Sequence, residues 1–303
     1  MTVSAPIPEL SFCIVNLNAG SYLRGCLDSL TQAAGGLSYE VIVVDNGSTD
    51  DSIAVLRQNY PEVRVIENQT NTGYTRPMNQ ALKAARGRFL VQLNPDTISH
   101  PGAFPILRNW MLAHPETGIL SPKVLNRDGT FQRQCRRSAA RPWDVVTYFS
   151  GLWKLFPRSR FWGRYLMSYL PEDQPCEVEA VSGSCMFIRR TLLEQIGYLD
   201  EVYFAYQEDT DFCFRARQAG WKVVFQPEAK ITHFGGQGGS TFQPVQGIYQ
   251  WHHSYYLYYR KFLAKDYFFL VNGLMYLGMA LKLGSSLLAN LLRRNKVVGT
   301  RKP

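Results

Sequence analysis

Short apolar runs and amphipathic stretches alternate along the first 125 residues. Phe12 to Val15 is apolar throughout, Tyr22 to Ala33 carries Leu23, Leu27 and Leu30 at helical spacing, and Glu40 to Val44 reads EVIVV. The pattern then predicts a helix over Ser52 to Gln58, a strand over Val63 to Ile66, a helix over Met78 to Ala85 and a strand over Phe89 to Leu93. Strict alternation of strand and helix implies right-handed crossovers and a mainly parallel, Rossmann-like central sheet with helices on both faces. Ligands bind such sheets beyond the carboxyl ends of the strands, so the residues following each strand are where chemistry is expected.

Three of those ends are polar. Asn16-Leu17-Asn18 follows the first strand, Asp45-Asn46-Gly47-Ser48-Thr49-Asp50 the second, and Asn94-Pro95-Asp96-Thr97 the fourth. Each has a plain alternative. DNGSTDDS is a turn and helix-cap signal in which Ser48 and Asp51 form a capping box, and NPDT reads equally as a turn ahead of a helix over Phe104 to Ala113. Their convergence on one sheet edge is what favours function.

With 46% hydrophobic and 19% charged residues the chain can bury a core, which excludes a disordered or fibrous protein. No internal repeat is found. Six scattered cysteines without a CxxC pair or a zinc-type spacing point to a reduced, cytosolic chain. The N-terminus lacks a secretory pattern, so the mature protein is expected to start near Met1.

A net charge of +9 favours anionic partners, and its distribution narrows them. Arg136 to Leu170 holds seven cations (Arg136, Arg137, Arg141, Lys154, Arg158, Arg160, Arg164) and one acid, Asp144, interleaved with aromatics from Trp143 to Tyr169. Such a segment suits single-stranded nucleic acid or an anionic lipid interface equally. The C-terminus decides for lipid. Tyr267 to Leu292 is long enough to span a bilayer, but Lys282 inside it would cost about 2.5 to 3.5 kcal/mol at the membrane centre. Asn272, Ser285, Ser286, Asn290 and Arg293 project within roughly 80° of Lys282, the pattern of a helix lying in the interface. Monotopic attachment is expected, with Arg293, Arg294, Lys296, Arg301 and Lys302 as a basic anchor and no nucleic acid bound. Trp251 to Phe262 reads as a tyrosine-rich helix that packs the chain onto this anchor, or as ordinary core.

In the second half, Glu208-Asp209-Thr210-Asp211 opens a helix ending at Gly220, where acids complement the helix dipole. His233 ends a strand over Ala229 to Thr232 and precedes glycines. A lone histidine is more often structural, but this one is placed to join a metal or diphosphate site. Gly235 to Ser240 reads as a closing loop or a plain linker.

The runs FCIVNLN, EVIVVDNGSTDDS, NTGYTRPMNQALKAARGRFLVQLNPDT, VSGSCMFIRR and YFAYQEDTDFCFRARQAGWKVVFQPEAKITHFGG, in this order over roughly residues 10 to 240, resemble the inverting family 2 glycosyltransferases of the GT-A fold, nearest the bacterial rhamnosyltransferase-like branch. The resemblance implies a metal-dependent hexosyltransferase using Mg2+ or Mn2+, with Asp96 as metal ligand and His233 completing the metal or diphosphate site. The family writes Asp-X-Asp where this chain has Asn94, a donor-site residue and a neutral ligand at best, which leaves one carboxylate and less negative charge. It further implies that Asn18 and Asp45 line the base and ribose cradle, with Asp45 accepting from a pyrimidine imide. Asp209 aligns with the catalytic base. Arg76 is placed to meet phosphate or sugar, or is an exposed helix-start residue; Asn79 is a site residue or a cap.

The expected donor is dTDP-L-rhamnose or a UDP-sugar. The expected acceptor is a polyprenyl-diphosphate-linked saccharide at the cytoplasmic face of the inner membrane. Alternatives are a nucleotide- or polyanion-binding module on the same fold and a nucleotide-sugar phosphohydrolase; a homodimer stays open. The expected organisation is a GT-A unit over 1–240, divided into a nucleotide-binding half (1–125), a basic, aromatic insertion (126–175) and a base-bearing half (176–240). A C-terminal membrane-associating extension follows over 241–303.

Overall fold

The computed structural model describes residues 6–236 and 244–292. β1 (Leu10–Asn16), α1 (Gly20–Ala34), β2 (Tyr39–Asp45), α2 (Ser52–Asn59), β3 (Arg64–Glu67), α3 (Thr75–Ala84) and β4 (Phe89–Leu93) follow the predicted alternation. β1 pairs in parallel with β2 and β4, and β2 with β3. Every residue of β1 and β4 is buried, as expected of strands covered by helices on both faces.

β5 (Thr97–Ser99), α4 (Ala103–Ala113) and β6 (Thr117–Leu125) come next, then an excursion holding β7 (Arg136–Arg137), α5 (Pro142–Phe149), α6 (Leu152–Leu155), β8 (Cys176–Glu177) and β9 (Ala180–Val181). β10 (Cys185–Arg189) re-enters the sheet between β4 and β6, antiparallel to both. α7 (Arg190–Ile196), α8 (Glu208–Gln218) and β11 (Lys222–His233) follow, β11 lying parallel to β6. The resulting order is β3-β2-β1-β4-β10-β6-β11-β5, with β8 on β11; β7 and β9 form a separate two-stranded ladder. This is a mixed α/β architecture with a largely parallel sheet.

α9 (Pro244–Tyr258) and α10 (Phe269–Leu292) complete the described chain. Tyr255, Tyr258, Tyr259 and Phe262 build a second apolar cluster with Tyr203, and Met275, Tyr276 and Met279 of α10 pack against it. The hydroxyls of Tyr255 and Tyr258 donate to the carbonyls of Ala140 and Ala139 (2.9 and 3.1 Å), fastening α9 to the excursion.

Three expectations change. No capping box forms at Ser48 and Asp51. The Ser48 hydroxyl donates to Asp45 (2.6 Å) and Ser52 is held by Asp50, because the loop folds back on the strand end instead of onto the helix. The cationic segment is only partly a surface. Arg136 is fully buried, its guanidinium 4.6 Å from the Phe225 ring centroid and donating to the Leu170 and Pro171 carbonyls. Arg137, Arg141 and Arg164 pair with Asp209, Glu179 and Asp144. Finally, part of the polar stripe of α10 faces protein rather than water. Asn272 donates to the Ala264 and Tyr267 carbonyls and Asn290 is buried, whereas Lys282 stays exposed with its ammonium 5.4 Å from the Phe149 ring centroid. Leu270, Leu274, Leu277, Leu281 and Leu288 stay exposed, and only 6% of the most apolar window of α10 is buried. The basic anchor from Arg293 to Lys302 and most of the Gly235 to Ser240 loop lie outside the described residues.

Candidate active site

The carboxyl ends of β1 and β2 are knotted together by side chains. Buried Asp45 accepts from the Asn16 amide (2.8 Å) and the Ser48 hydroxyl through Oδ1, and from the Ser48 backbone N–H (2.9 Å) through Oδ2. Asn18 adopts φ 53°, and its Oδ1 accepts from the N–H groups of Thr49 and Asp50 (2.7 and 3.2 Å). Asn46 donates to the Gly73 carbonyl (2.6 Å), drawing residues 71–73 onto the same rim. Gly73 is required there: at φ +93° a Cβ would lie 2.3 Å from the Phe204 carbonyl, to which the next N–H, of Tyr74, donates (2.6 Å).

Arg76 is solvent-exposed and faces Glu201 at 3.5 Å. Asn79 neither caps a helix nor faces a cleft. It is buried and bonded to both the N–H and the carbonyl of Leu199 (3.1 and 2.9 Å), tying α3 to the second half of the chain.

At the end of β4, Asp96 and His233 meet, although 137 positions separate them, because β5 and β11 pair antiparallel and set His233 opposite Thr97. The His233 Nε2 lies 3.2 Å from Asp96 Oδ1 and 3.3 Å from the Asn94 amide nitrogen. Its Nδ1 lies 2.9 Å from Gln132 Oε1, with Nε2 turned to Asp96 and Asn94. A carboxylate and an imidazole nitrogen turned toward one point suit a divalent cation, and Gln132 orients the imidazole as an outer partner does. Among the described residues no group of three histidine, cysteine or acidic side chains could enclose a metal, so any ion here would take its other ligands from water or substrate.

The first turn of α8 forms the opposite wall. Asp209 accepts from Arg137 Nη2 (2.6 Å) through Oδ1 and from the Gly183 N–H (2.9 Å) through Oδ2, and Arg137 also donates to the Thr210 hydroxyl (3.0 Å). Beside it Glu208 is buried with Oε2 unbonded. Burial, then the Asp209 charge, push its carboxyl up to about 8.

Gly183 and Ser184 join the two walls. The Ser184 carbonyl accepts from the Asn94 N–H (3.0 Å), while Gly183 touches Asp209 and its carbonyl accepts from Gln92 (3.2 Å). A Cβ on Gly183 would sit 2.6 Å from Gln92 Nε2. The Tyr74 hydroxyl donates to Asn94 Oδ1 (3.2 Å), and its proton affinity is raised by burial and by Glu208, Asp209 and Asp96 together. Asp96 and Asp209 are therefore linked through the Asn94–Ser184 and Gly183–Asp209 hydrogen bonds. Gln92 Oε1, Ser184 Oγ and Glu208 Oε2 close to this connection are buried polar atoms without hydrogen-bond partners. Tyr74, Gln92, Gly183, Ser184 and Arg137 escaped sequence reasoning as site residues. The one signal available was polar Gln92 inside the apolar run FLVQL.

The family model described as glycosyltransferase like family 2 matches residues 8–246. The N-acetylglucosaminyl-diphospho-decaprenol L-rhamnosyltransferase of Mycobacterium tuberculosis is 29% identical over 257 residues, covering 80% of this chain and 81% of its own. Among solved structures, the mannosyltransferase PcManGT from Pyrobaculum calidifontis, in complex with GDP-Man and Mn2+, superposes with a TM-score of 0.58 at 16% identity, over 95% of this chain and 76% of that one. A TarS 1–349 structure from S. aureus with UDP-GlcNAc gives 0.53 at 18% identity over 81% of this chain; it matches 65% of that chain, less than two thirds of its length. The doubly covered sheet and the strand-end cleft agree with these likenesses, and the chain belongs to glycosyltransferase family 2, with the GT-A fold.

Proposed function

We propose that this chain transfers a hexose, L-rhamnose from dTDP-L-rhamnose or a sugar from a UDP donor, onto a polyprenyl-diphosphate-linked saccharide, inverting the anomeric centre. One observation carries the reading: a metal-suited Asp96–His233 pair and an arginine-held carboxylate, Asp209, flank the same Gly183–Ser184 ridge. The M. tuberculosis relative, whose name gives a diphospho-decaprenol acceptor and L-rhamnose as the transferred sugar, supports the substrate class.

Asp45 and Asn18 form the rim that receives base and ribose; the second oxygen of Asp45 keeps a lone pair for an imide N–H. Asp96 and His233, with Asn94 beside them, would hold Mg2+ or Mn2+, which supplies charge neutralisation for a departing diphosphate. Arg76, on the exposed start of α3, meets donor phosphate or sugar once Glu201 releases it. Glu208, protonated near neutral pH, donates to a sugar hydroxyl, and Gln92 and Ser184 take others. Asp209 removes the proton of the acceptor hydroxyl as that oxygen bonds the anomeric carbon; the bond from this carbon to the diphosphate oxygen breaks, and its electron pair leaves with the diphosphate. Arg137 fixes the carboxylate's direction. Residues 1–240 act as the transferase unit and 241–303 hold it at the cytoplasmic face of the membrane, the exposed leucines of α10 entering the interface without crossing it.

Thermal unfolding with nucleotides tests the donor side, since ligand shifts the midpoint through its saturation of the folded state. dTDP or UDP should stabilise the protein only with Mn2+. Equal stabilisation by ATP, or none by any pyrimidine nucleotide, contradicts the reading.

A further inference from the structure

Beside α8 lies a cavity of ≈ 190 Å³ lined by Arg160, Arg164, Arg217, Ser138, Glu177 and Glu179 among others. Its charges do not cancel pairwise. Glu179 is already taken by Arg141 (2.6 Å) and the Ala139 N–H (2.7 Å), and Arg164 faces Asp144 at 3.6 Å. The guanidinium groups of Arg160 and Arg217 make no side-chain hydrogen bond or close ion pair with the described residues, although the Arg217 charge lowers the proton affinity of Glu179. Glu177 adds a second carboxylate, so the lining sets three guanidinium groups against two carboxylates, and the surplus cation matches the oxygens of a phosphate or diphosphate.

Position in the fold says which diphosphate. Asp209, Cys213 and Arg217 recur every four residues along one stripe of α8, so Arg217 lies about 12 Å beyond Asp209. Arg137, bound to Asp209, is followed directly by Ser138 of the cavity wall. On either side of Arg160 the segment exposes Leu155, Phe156 and Phe161. The carboxylate at one end of this stripe of α8, a cationic cavity at the other, and exposed apolar residues flanking Arg160 suit the sugar, diphosphate and lipid of one acceptor. We infer that this cavity binds the diphosphate of the acceptor, with Arg160 and Arg217 as its ligands; the inference rests on the proposed transfer to a diphosphate-linked lipid.

The full-length chain is compared with its Arg160→Gln/Arg217→Gln variant on two acceptors: a saccharide on an alkyl diphosphate, and the same saccharide on an alkyl ether of equal length. For the unaltered chain KM should be at least about tenfold lower for the diphosphate acceptor, the gain expected from charge-assisted hydrogen bonds. In the variant the two KM values should converge, and Arg→Lys at both positions should restore part of the gap. A gap that survives in the variant overturns the inference. Calorimetry with inorganic pyrophosphate in EDTA gives a readout free of turnover: binding by the unaltered chain and its loss in the variant are expected, and equal binding by both, or none by either, refutes the site. If neither acceptor is glycosylated at all, the proposed function fails while the pyrophosphate result still judges the cavity. If the variant loses phosphatidylglycerol vesicles but keeps pyrophosphate, the arginines serve a lipid headgroup and the inference is wrong.

Discussion

Glu208→Gln isolates the carboxyl whose environment the fold distorts most clearly within the cleft. The substitution keeps the side chain's shape and abolishes its titration. Glu208 is fully buried, its Oε2 has no partner, and its carboxyl is pushed from 4.5 up to about 8, first by burial and then by Asp209. Between those two values the folded chain holds a proton that the unfolded chain has released, so stability falls as pH rises through this window and levels off above about 8. At about 1.4 kcal/mol per decade of proton affinity, ionising Glu208 in place costs on the order of 5 kcal/mol, a large share of a typical folding free energy. Urea unfolding of both proteins from pH 5 to pH 9 reads the effect as the difference between their extrapolated free energies. The variant should gain on the native chain by roughly 1 kcal/mol per pH unit up to about pH 8 and then run parallel. A constant difference from pH 5 upward would show that the carboxyl ionises as it does in water, and the buried, protonated Glu208 would be wrong.

Arg137→Gln removes the cation that faces Asp209 inside the cleft, where one partner's loss typically costs 3 to 5 kcal/mol, about the same being expected here by chemical denaturation. Arg137→Lys keeps the charge but not the fork to Asp209 and Thr210, so it should recover stability before it recovers kcat. Gly183→Ala drives a methyl against Gln92, and its transfer rate should fall with the fold intact by circular dichroism. Leu274→Glu/Leu281→Glu places charges on the exposed face of α10, and flotation with anionic vesicles should fall sharply while soluble-donor binding is retained; unchanged flotation would remove α10 from the membrane account.

The parallel half of the sheet was legible because strands buried on both faces are written as unbroken apolar runs, EVIVV above all, with helical spacing between them. The polar strand ends were legible for the same reason, since the sheet edge follows once the strands are known. What the sequence hid depends on chain segments far apart. β10 enters between β4 and β6 against their direction, and only that insertion sets Gly183 and Ser184 between Asn94 and Asp209. Glu208 read as a dipole partner at a helix start because nothing local marks it as buried. The basic segment over-counted its surface charge for a related reason: Arg136 and Arg137 occupy a two-residue ladder, one turned into the core and the other toward Asp209. The apolar helix at the C-terminus was plain, but the direction of its polar stripe was not, since Asn272 and Asn290 find their surroundings within the fold.

Asp209→Asn is the measurement closest to the heart of the account. The amide keeps the size of the carboxylate and can still accept from Gly183, but it cannot take a proton from an acceptor hydroxyl. Transfer from the preferred nucleotide-sugar to the lipid-linked acceptor should drop by roughly 10²- to 10⁴-fold, with Mn2+-dependent nucleotide binding unchanged. Transfer at the native rate by this variant would contradict the assignment of the base, and with it the proposed chemistry of the cleft.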